Sequence, residues 1–180
     1  DQTVDDKTMI YIKDQSLSNQ EIEKILVFAT HPQDTWDETF TFTIDNNNEI
    51  VKKIKDQINN DLSLKGLDEK FEEVEFTQLA TYPQGSSKMF HFDNARESST
   101  ATSITFLNDD LIGGQAIVEG VEITPIKGRT YYFDGKMYKH GVNNVIKGVR
   151  YTLSTWYTNK KLKHLNEHRF SNGQRPDGSR

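Results

Sequence analysis

Apolar residues recur at helical spacing in two stretches of the N-terminal third of the chain. Residues 18–29 start with Ser18 and Glu21, which have the spacing of a capping box, and continue with apolar residues on one helical face. Residues 48–62 repeat apolar side chains at helical spacing, while lysines occupy the other side. Between them, residues 39–44 alternate phenylalanine and isoleucine with threonine, as a half-buried strand does. The pattern therefore predicts two packing helices with a strand between them.

From residue 71 onward the pattern predicts short strands separated by Gly, Asn and Asp turns, which favours an antiparallel sandwich or barrel. We expect one mostly β domain in residues 1–160, with helical support at about 16–62 packed on one sheet and a β core at about 71–158. Residues 161–180 are basic and poor in apolar side chains, so we predict a mobile C-terminal tail. The predicted strands are 73–82, 87–93, 101–107, 114–118, 121–124, 129–133 and 150–157.

The composition narrows the classes of function. The formal net charge of −5 argues against a broad surface for nucleic acid phosphates. The chain contains no cysteine, so disulfides, cysteine-based zinc knuckles and thiol nucleophiles are excluded. No apolar run approaches the ~20 residues that a membrane span needs. We expect a soluble, cytoplasmic protein with no nucleic acid or membrane partner, and the oligomeric state stays open.

Candidate metal ligands lie in the segment KMFHFDNARE, where His91 and Asp93 are two positions apart. On a strand, positions i and i+2 point to the same face, so an imidazole and a carboxylate would lie side by side. Such a pair also arises by chance, and alone it indicates little. A second histidine, His140, is followed ten residues later by Arg150 at the start of a predicted strand. Two histidines and one carboxylate with open positions form the facial triad of non-haem Fe(II) oxygenases.

The predicted strand 150–157 has two different faces. Arg150, Ser154 and Trp156 share one face, and an arginine inside a closed double sheet is tolerated only if an anion meets it. The charges of ferrous iron, Asp93, Arg150 and a dianionic keto acid such as 2-oxoglutarate sum to zero. Arginine suits a carboxylate because its planar fork binds both oxygens, and the β pattern favours it over the nearby Lys147.

These motifs resemble the 2-oxoglutarate and Fe(II)-dependent dioxygenases of the prolyl 4-hydroxylase type. The resemblance covers roughly residues 78–157 and includes YPQGSSKMFHFD, FLNDDLIGGQ, ITPIKGRTYYF, and HGV followed by GVRYTLSTWY. It implies a double-stranded β-helix, or jelly roll, which agrees with the predicted run of short strands. It also implies that His91, Asp93 and His140 bind Fe(II), and that Arg150 and Tyr82 hold the distal carboxylate of 2-oxoglutarate.

The resemblance further implies the substrate and the reaction. Ser154 would lie near the co-substrate carboxylate, and Trp156 and Arg96 are the candidate substrate contacts. The implied reaction is hydroxylation of proline in a peptide or protein, with O2 as oxidant, conversion of 2-oxoglutarate to succinate and CO2, and ascorbate as a supporting reductant. Two positions depart from the family. Gln-Ala follows the Gly-Gly turn where Glu-Thr is common, and Ser99 occupies the position of a peptide-holding arginine, with Arg96 the nearest cation.

Three other functions stay open at this point. The same chemistry could act on a free amino acid or another side chain. The domain could instead be a non-catalytic jelly-roll binding module. The triad could also activate water in a metal-dependent hydrolase, but this function would leave Arg150 unexplained. The remaining histidines, His31, His164 and His168, are expected to have no role in the site.

Overall fold

The computed structural model describes residues 2–5, 10–36, 38–66, 71, 73–93 and 101–158. Arg96, Ser99 and the tail at 161–180 lie outside these residues. Within them, the helices are α1 (Asn19–Leu26), continued by a 3-10 turn (Val27–Thr30), and α2 (Glu49–Leu64). The strands are β1 (Gln2–Asp5), β2 (Ile10–Lys13), β3 (Asp34–Trp36), β4 (Thr39–Thr43), β5 (Glu73–Tyr82), β6 (Lys88–His91), β7 (Ala101–Phe106), β8 (Ile112–Gly113), β9 (Ala116–Val118), β10 (Val121–Ile123), β11 (Thr130–Phe133), β12 (His140–Val142), β13 (Val145–Lys147) and β14 (Arg150–Thr158).

Two antiparallel sheets form the body of the domain. Across the described residues, the larger sheet has the order β1-β2-β11-β7-β14-β5-β4-β3, and the smaller one has the order β10-β9-β12-β6. Strands β8 and β13 pair with each other in a separate two-stranded sheet. Phe106 and Tyr131 of the larger sheet pack with Val118 and Ile123 of the smaller one, so the two sheets face each other. The predicted jelly roll is confirmed.

The two helices cover the outer side of the larger sheet, as predicted. The capping box at α1 is present, with Glu21 N–H donating to Ser18 Oγ at 3.2 Å and Ser18 N–H donating to Glu21 Oε1 at 2.8 Å. The buried helical side chains, among them Ile25 and Ile54, pack against Leu153 and other outward-facing sheet residues. No helix in the described part of the chain is long and apolar enough to cross a membrane.

Several predicted strand boundaries were wrong. The strand predicted at 87–93 ends at His91, because the Asp93 N–H donates to the Gly135 carbonyl at 2.8 Å instead of continuing the ladder. The strand predicted at 114–118 begins only at Ala116, because Gly114 is in the left-handed region at φ 69°. The strands β12 and β13 were not predicted, since three residues are too few for alternation to be recognised.

A buried carboxylate on α2 fastens this helix to the larger sheet. Asp61 is buried on the inner face of α2 and binds Lys65 Nζ at 2.6 Å. The hydroxyl of Tyr132, on β11, donates to the other oxygen of the same carboxylate. Burial raises the pKa of Tyr132 well above its usual range, and the Asp61 carboxylate raises it further. Tyr132 therefore remains a donor at neutral pH, and helix and sheet share one polar contact inside an apolar layer.

Substitution Tyr132→Phe is expected to lower the free energy of unfolding by about 1.5–3 kcal/mol, because a hydrogen bond to a buried charge is lost. Urea denaturation followed by far-UV circular dichroism measures this change. Tyr151→Phe is the matched control, since Tyr151 packs at the edge of the same cluster and its hydroxyl bonds to none of the described residues. Equal losses in the two variants would contradict the assigned role of Tyr132.

Candidate active site

The two predicted histidine ligands meet across neighbouring strands. His91 ends β6 and His140 begins β12, and the antiparallel register places them directly opposite each other. Their ring centroids are 4.4 Å apart. Gly141 permits this close pairing, because a Cβ there would lie 2.7 Å from the Lys88 carbonyl oxygen. Residues 49 positions apart in sequence thus become cross-strand neighbours.

Backbone carbonyls orient both imidazole rings in the same way. His91 Nδ1 lies 2.8 Å from the Met89 carbonyl oxygen, and His140 Nδ1 lies 2.8 Å from the Tyr138 carbonyl oxygen. A carbonyl oxygen only accepts hydrogen bonds, so each Nδ1 donates its hydrogen. In the neutral rings each Nε2 then retains its lone pair, which is the form that binds a metal.

Asp93 completes a three-residue cluster. Its Oδ1 lies 3.2 Å from His140 Nε2 and 3.6 Å from His91 Nε2, and one ligand atom from each of the three residues lies within 4.8 Å of the others. Burial raises the pKa of Asp93, but the adjacent Nε2 groups of His140 and His91, which favour the ionised carboxylate when their rings are protonated, outweigh it and hold the pKa well below its usual range. Burial lowers the pKa of His91, whereas its bonds with Asp93 and Met89 raise it, with a net increase. The carboxylate is therefore ionised.

Arg150 is enclosed on the cavity side of β14. It is 2 % exposed, and its guanidinium carbon lies 4.9 Å from the centroid of the Tyr82 ring and 5.2 Å from that of Phe106. Nε donates to the Gly114 carbonyl at 2.8 Å. Nη2 is buried and has no hydrogen-bond partner among the described residues. A buried cation with an unpaired donor requires an anion, so this position is suited to a ligand carboxylate.

The triad and Arg150 line the same cavity between the two sheets. Ser154 and Trp156 also line it from β14, whereas Lys147, the alternative cation, is exposed on β13. Tyr82 lies directly opposite Arg150 on β5, which explains the stacking of its ring on the guanidinium. The cavity therefore combines three metal-type ligands with an anion site, an arrangement that a hydrolase has no need for.

Residues 77–158 match the family model described as the 2OG-Fe(II) oxygenase superfamily. Because the match covers 82 of the 180 residues, this region is called the oxygenase domain below, after the superfamily that it resembles. It spans β5 to β14 and includes all three residues of the cluster and Arg150. The resemblance stated from the sequence and the enzyme class, a 2-oxoglutarate-dependent dioxygenase, are confirmed, and the family implies Fe(II) and 2-oxoglutarate. No curated protein matches the chain significantly.

Solved structures similar to this chain include three prolyl hydroxylases. A prolyl-4-hydroxylase of Pseudomonas putida is 19% identical, with a TM-score of 0.65 over 83% of this chain and 91% of its own. A viral collagen prolyl hydroxylase from Paramecium bursaria Chlorella virus 1, solved with 2OG, is 20% identical, with a TM-score of 0.68 over 87% and 98%. A prolyl hydroxylase of Trichoplax adhaerens, solved with a hypoxia inducible factor peptide fragment, is 19% identical, with a TM-score of 0.65 over 88% and 87%. At these identities the likeness establishes the fold.

The Gly-Gly turn of the oxygenase domain shapes the anion site. A Cβ on Gly114 would lie 2.9 Å from Leu111 Cδ1 and 3.2 Å from Arg150 Cδ, so a side chain there would crowd the arginine. The Gly114 carbonyl oxygen also accepts the hydrogen bond from Arg150 Nε. The Gln115 side chain, at the departure from the family pattern, instead meets Asn143, with 3.4 Å between the two amide groups, and does not line the cavity.

The sequence analysis missed Tyr131 of the oxygenase domain. This tyrosine on β11 is 1 % exposed and lines the cavity. Burial raises its pKa to about 12, although the nearby Arg150 charge lowers it. Its hydroxyl thus stays protonated beside the guanidinium and is available as a neutral donor. The sequence predicted only a strand at 129–133 here, although alternation along that strand already places Tyr131 and Tyr132 on opposite faces.

Substitution His91→Ala is expected to weaken Mn(II) binding by at least ~100-fold, because loss of a direct ligand should cost no less than loss of an outer partner. Isothermal titration calorimetry with Mn(II), a redox-stable substitute for Fe(II), measures the affinity. His31→Ala is the control, since His31 is exposed outside the cavity. Unchanged affinity in His91→Ala would exclude His91 as a ligand.

Proposed function

We propose that the protein is an Fe(II)- and 2-oxoglutarate-dependent hydroxylase that acts on proline in a peptide or protein. The observation that carries this proposal is one cavity containing the cluster of His91, Asp93 and His140 together with a buried, partly unpaired Arg150. The jelly-roll fold and the family match supply the chemical class. The substrate class is supported by the likeness in fold to prolyl hydroxylases.

The three cluster residues fit a ferrous ion. Two neutral imidazole nitrogens and one carboxylate oxygen are the ligands of the non-haem Fe(II) triad. His91 and His140 would bind through Nε2, since their Nδ1 atoms are held by carbonyls, and Asp93 would bind through Oδ1, which faces both rings. Binding displaces the proton that the raised pKa of His91 retains, so metal affinity decreases as the pH falls. When bound, iron and the keto acid together supply the oxidising chemistry.

The anion site fits the distal carboxylate of 2-oxoglutarate. Arg150 offers Nη2, Tyr131 offers a protonated hydroxyl, and Tyr82 packs its ring on the guanidinium from the neighbouring strand. Ser154 faces the cavity from the same side of β14 as Arg150. Packing between two aromatic rings and the bond to Gly114 hold the arginine in place before any ligand arrives, which lowers the entropic cost of binding.

A second candidate substrate is a polar side chain or a free amino acid. Thr39, Thr41 and Gln78 line the cavity from β4 and β5, and these hydroxyl and amide groups suit a polar target better than the apolar proline ring. Proline remains the first choice because the similar structures are prolyl hydroxylases.

The decisive experiment is incubation with Fe(II), ascorbate, 2-oxoglutarate, O2 and a panel of peptides that contain proline, asparagine, aspartate or lysine. Mass spectrometry is expected to detect the gain of one oxygen atom in proline peptides, with succinate formed in equal amount. Oxidation confined to another residue would reassign the substrate. Absence of turnover for every peptide and for free amino acids, with 2-oxoglutarate unconsumed, would contradict the proposed activity.

Substitution Arg150→Lys is expected to raise the KM for 2-oxoglutarate by roughly 10- to 100-fold, because one bidentate charged interaction worth about 1.5–3 kcal/mol is reduced to a point contact. The KM for the peptide should change much less, and steady-state kinetics with each substrate varied in turn separates the two values. Lys147→Ala, which removes the neighbouring exposed cation, should leave both values unchanged. An equal rise in both KM values would argue against a carboxylate site at Arg150.

A further inference from the structure

Asp93 is also held on the side opposite the two imidazoles. Thr102 Oγ1 donates to Asp93 Oδ2 at 2.8 Å, and the indole Nε1 of Trp156 donates to the same oxygen at 3.2 Å. Oδ1 faces His140 and His91 instead. The two oxygens of one carboxylate thus have separate partners, one set of hydrogen-bond donors and one set of metal-type ligands.

The two donors converge because of the sheet register. Thr102 on β7 and Trp156 on β14 are directly opposite in the antiparallel ladder, and both side chains line the cavity. Side chains at opposite positions start about 5 Å apart, which is close enough to reach one acceptor. The Trp156 ring also packs on Phe76, with ring centroids 5.5 Å apart. Trp156 therefore has a contact with the cluster, in addition to lining the cavity.

Gly135 packs directly against the Asp93 carboxylate and the Thr102 hydroxyl. Its carbonyl accepts the Asp93 N–H at 2.8 Å. A Cβ on Gly135 would lie 2.2 Å from Asp93 Oδ2 and 2.8 Å from Thr102 Oγ1, distances that no side chain could occupy without displacing the carboxylate. Its φ lies outside the left-handed region, so the close approach of the carboxylate accounts for glycine here. Thr102, Gly135 and Trp156 are named the Asp93 cradle below.

We propose that the Asp93 cradle restricts Asp93 to binding the metal through Oδ1 alone. The inference rests on the proposed metal site. Hydrogen bonds from Thr102 and Trp156 satisfy Oδ2. Without these two donors, the buried Oδ2 would need another partner, and the metal is the nearest candidate. A carboxylate that binds through both oxygens occupies one more coordination position. Thr102 and Trp156 are thus positioning residues that keep this position open for the keto acid or O2.

The test compares the wild-type protein with the double variant Thr102→Val/Trp156→Phe, both saturated with Mn(II). Water-proton relaxivity reports the number of waters on the bound Mn(II). We expect it to fall in the double variant by roughly one third, the share of one water among the three that an octahedral ion with three protein ligands retains. Thr105→Val is the matched control, because this buried threonine of β7 pairs with Thr130 at 2.6 Å and does not line the cavity. Its relaxivity should equal that of the wild type.

Equal relaxivity of the wild type and the double variant would overturn the proposal and leave the proposed metal site intact. Failure of the wild type to bind Mn(II) would overturn both. Thermal melting checks that each variant is folded. If the double variant does not fold, Trp156→Phe alone keeps an aromatic ring against Phe76 and should lower the relaxivity by a smaller amount, while an unchanged value would again overturn the role of the cradle.

Discussion

The alternation of side chains along β14 is the constraint on which both the apolar layer beneath the helices and the cavity between the sheets depend. Leu153 and Tyr157 point outward into the apolar layer beneath the helices, while Arg150, Ser154 and Trp156 point inward to the cavity. β14 lies between β7 and β5 in the larger sheet, so a shift of one residue would exchange the two sets. Each fully buried aliphatic side chain contributes about 1.5–3 kcal/mol, and this outward layer offsets the cost of enclosing a guanidinium.

Much of the fold follows from patterns in the sequence. The capping box at Ser18 and the long apolar period of α2 predict both helices, because these signals are local. The short strands β12 and β13 were missed because their partners, and not their own residues, determine them. The joint order of His91, Asp93, His140 and Arg150 was sufficient to predict that these residues lie in one site, since each separately has a common structural explanation.

The geometry of the site was less accessible from the sequence. His91 and Asp93 were expected to share a strand face, whereas the strand ends at His91 and a bond to Gly135 brings the carboxylate back. A glycine after Asp134 is typical of a turn, and its role in admitting a carboxylate depends on a contact across 42 positions. The contact of Trp156 with Asp93 likewise follows from the pairing of β7 with β14, which no local pattern specifies.

The consecutive tyrosines of β11 connect two distant parts of the domain. Tyr132 points outward to the anionic Asp61 of α2, and Tyr131 points inward to the cationic Arg150. Both hydroxyls are attached to one short segment of backbone, so a displacement of that segment moves them together. We therefore expect sequence changes in the outer helical layer, made to improve thermostability, to affect the proposed keto acid site as well. Redesign of α2 around Asp61 should be evaluated by co-substrate affinity as well as by melting temperature.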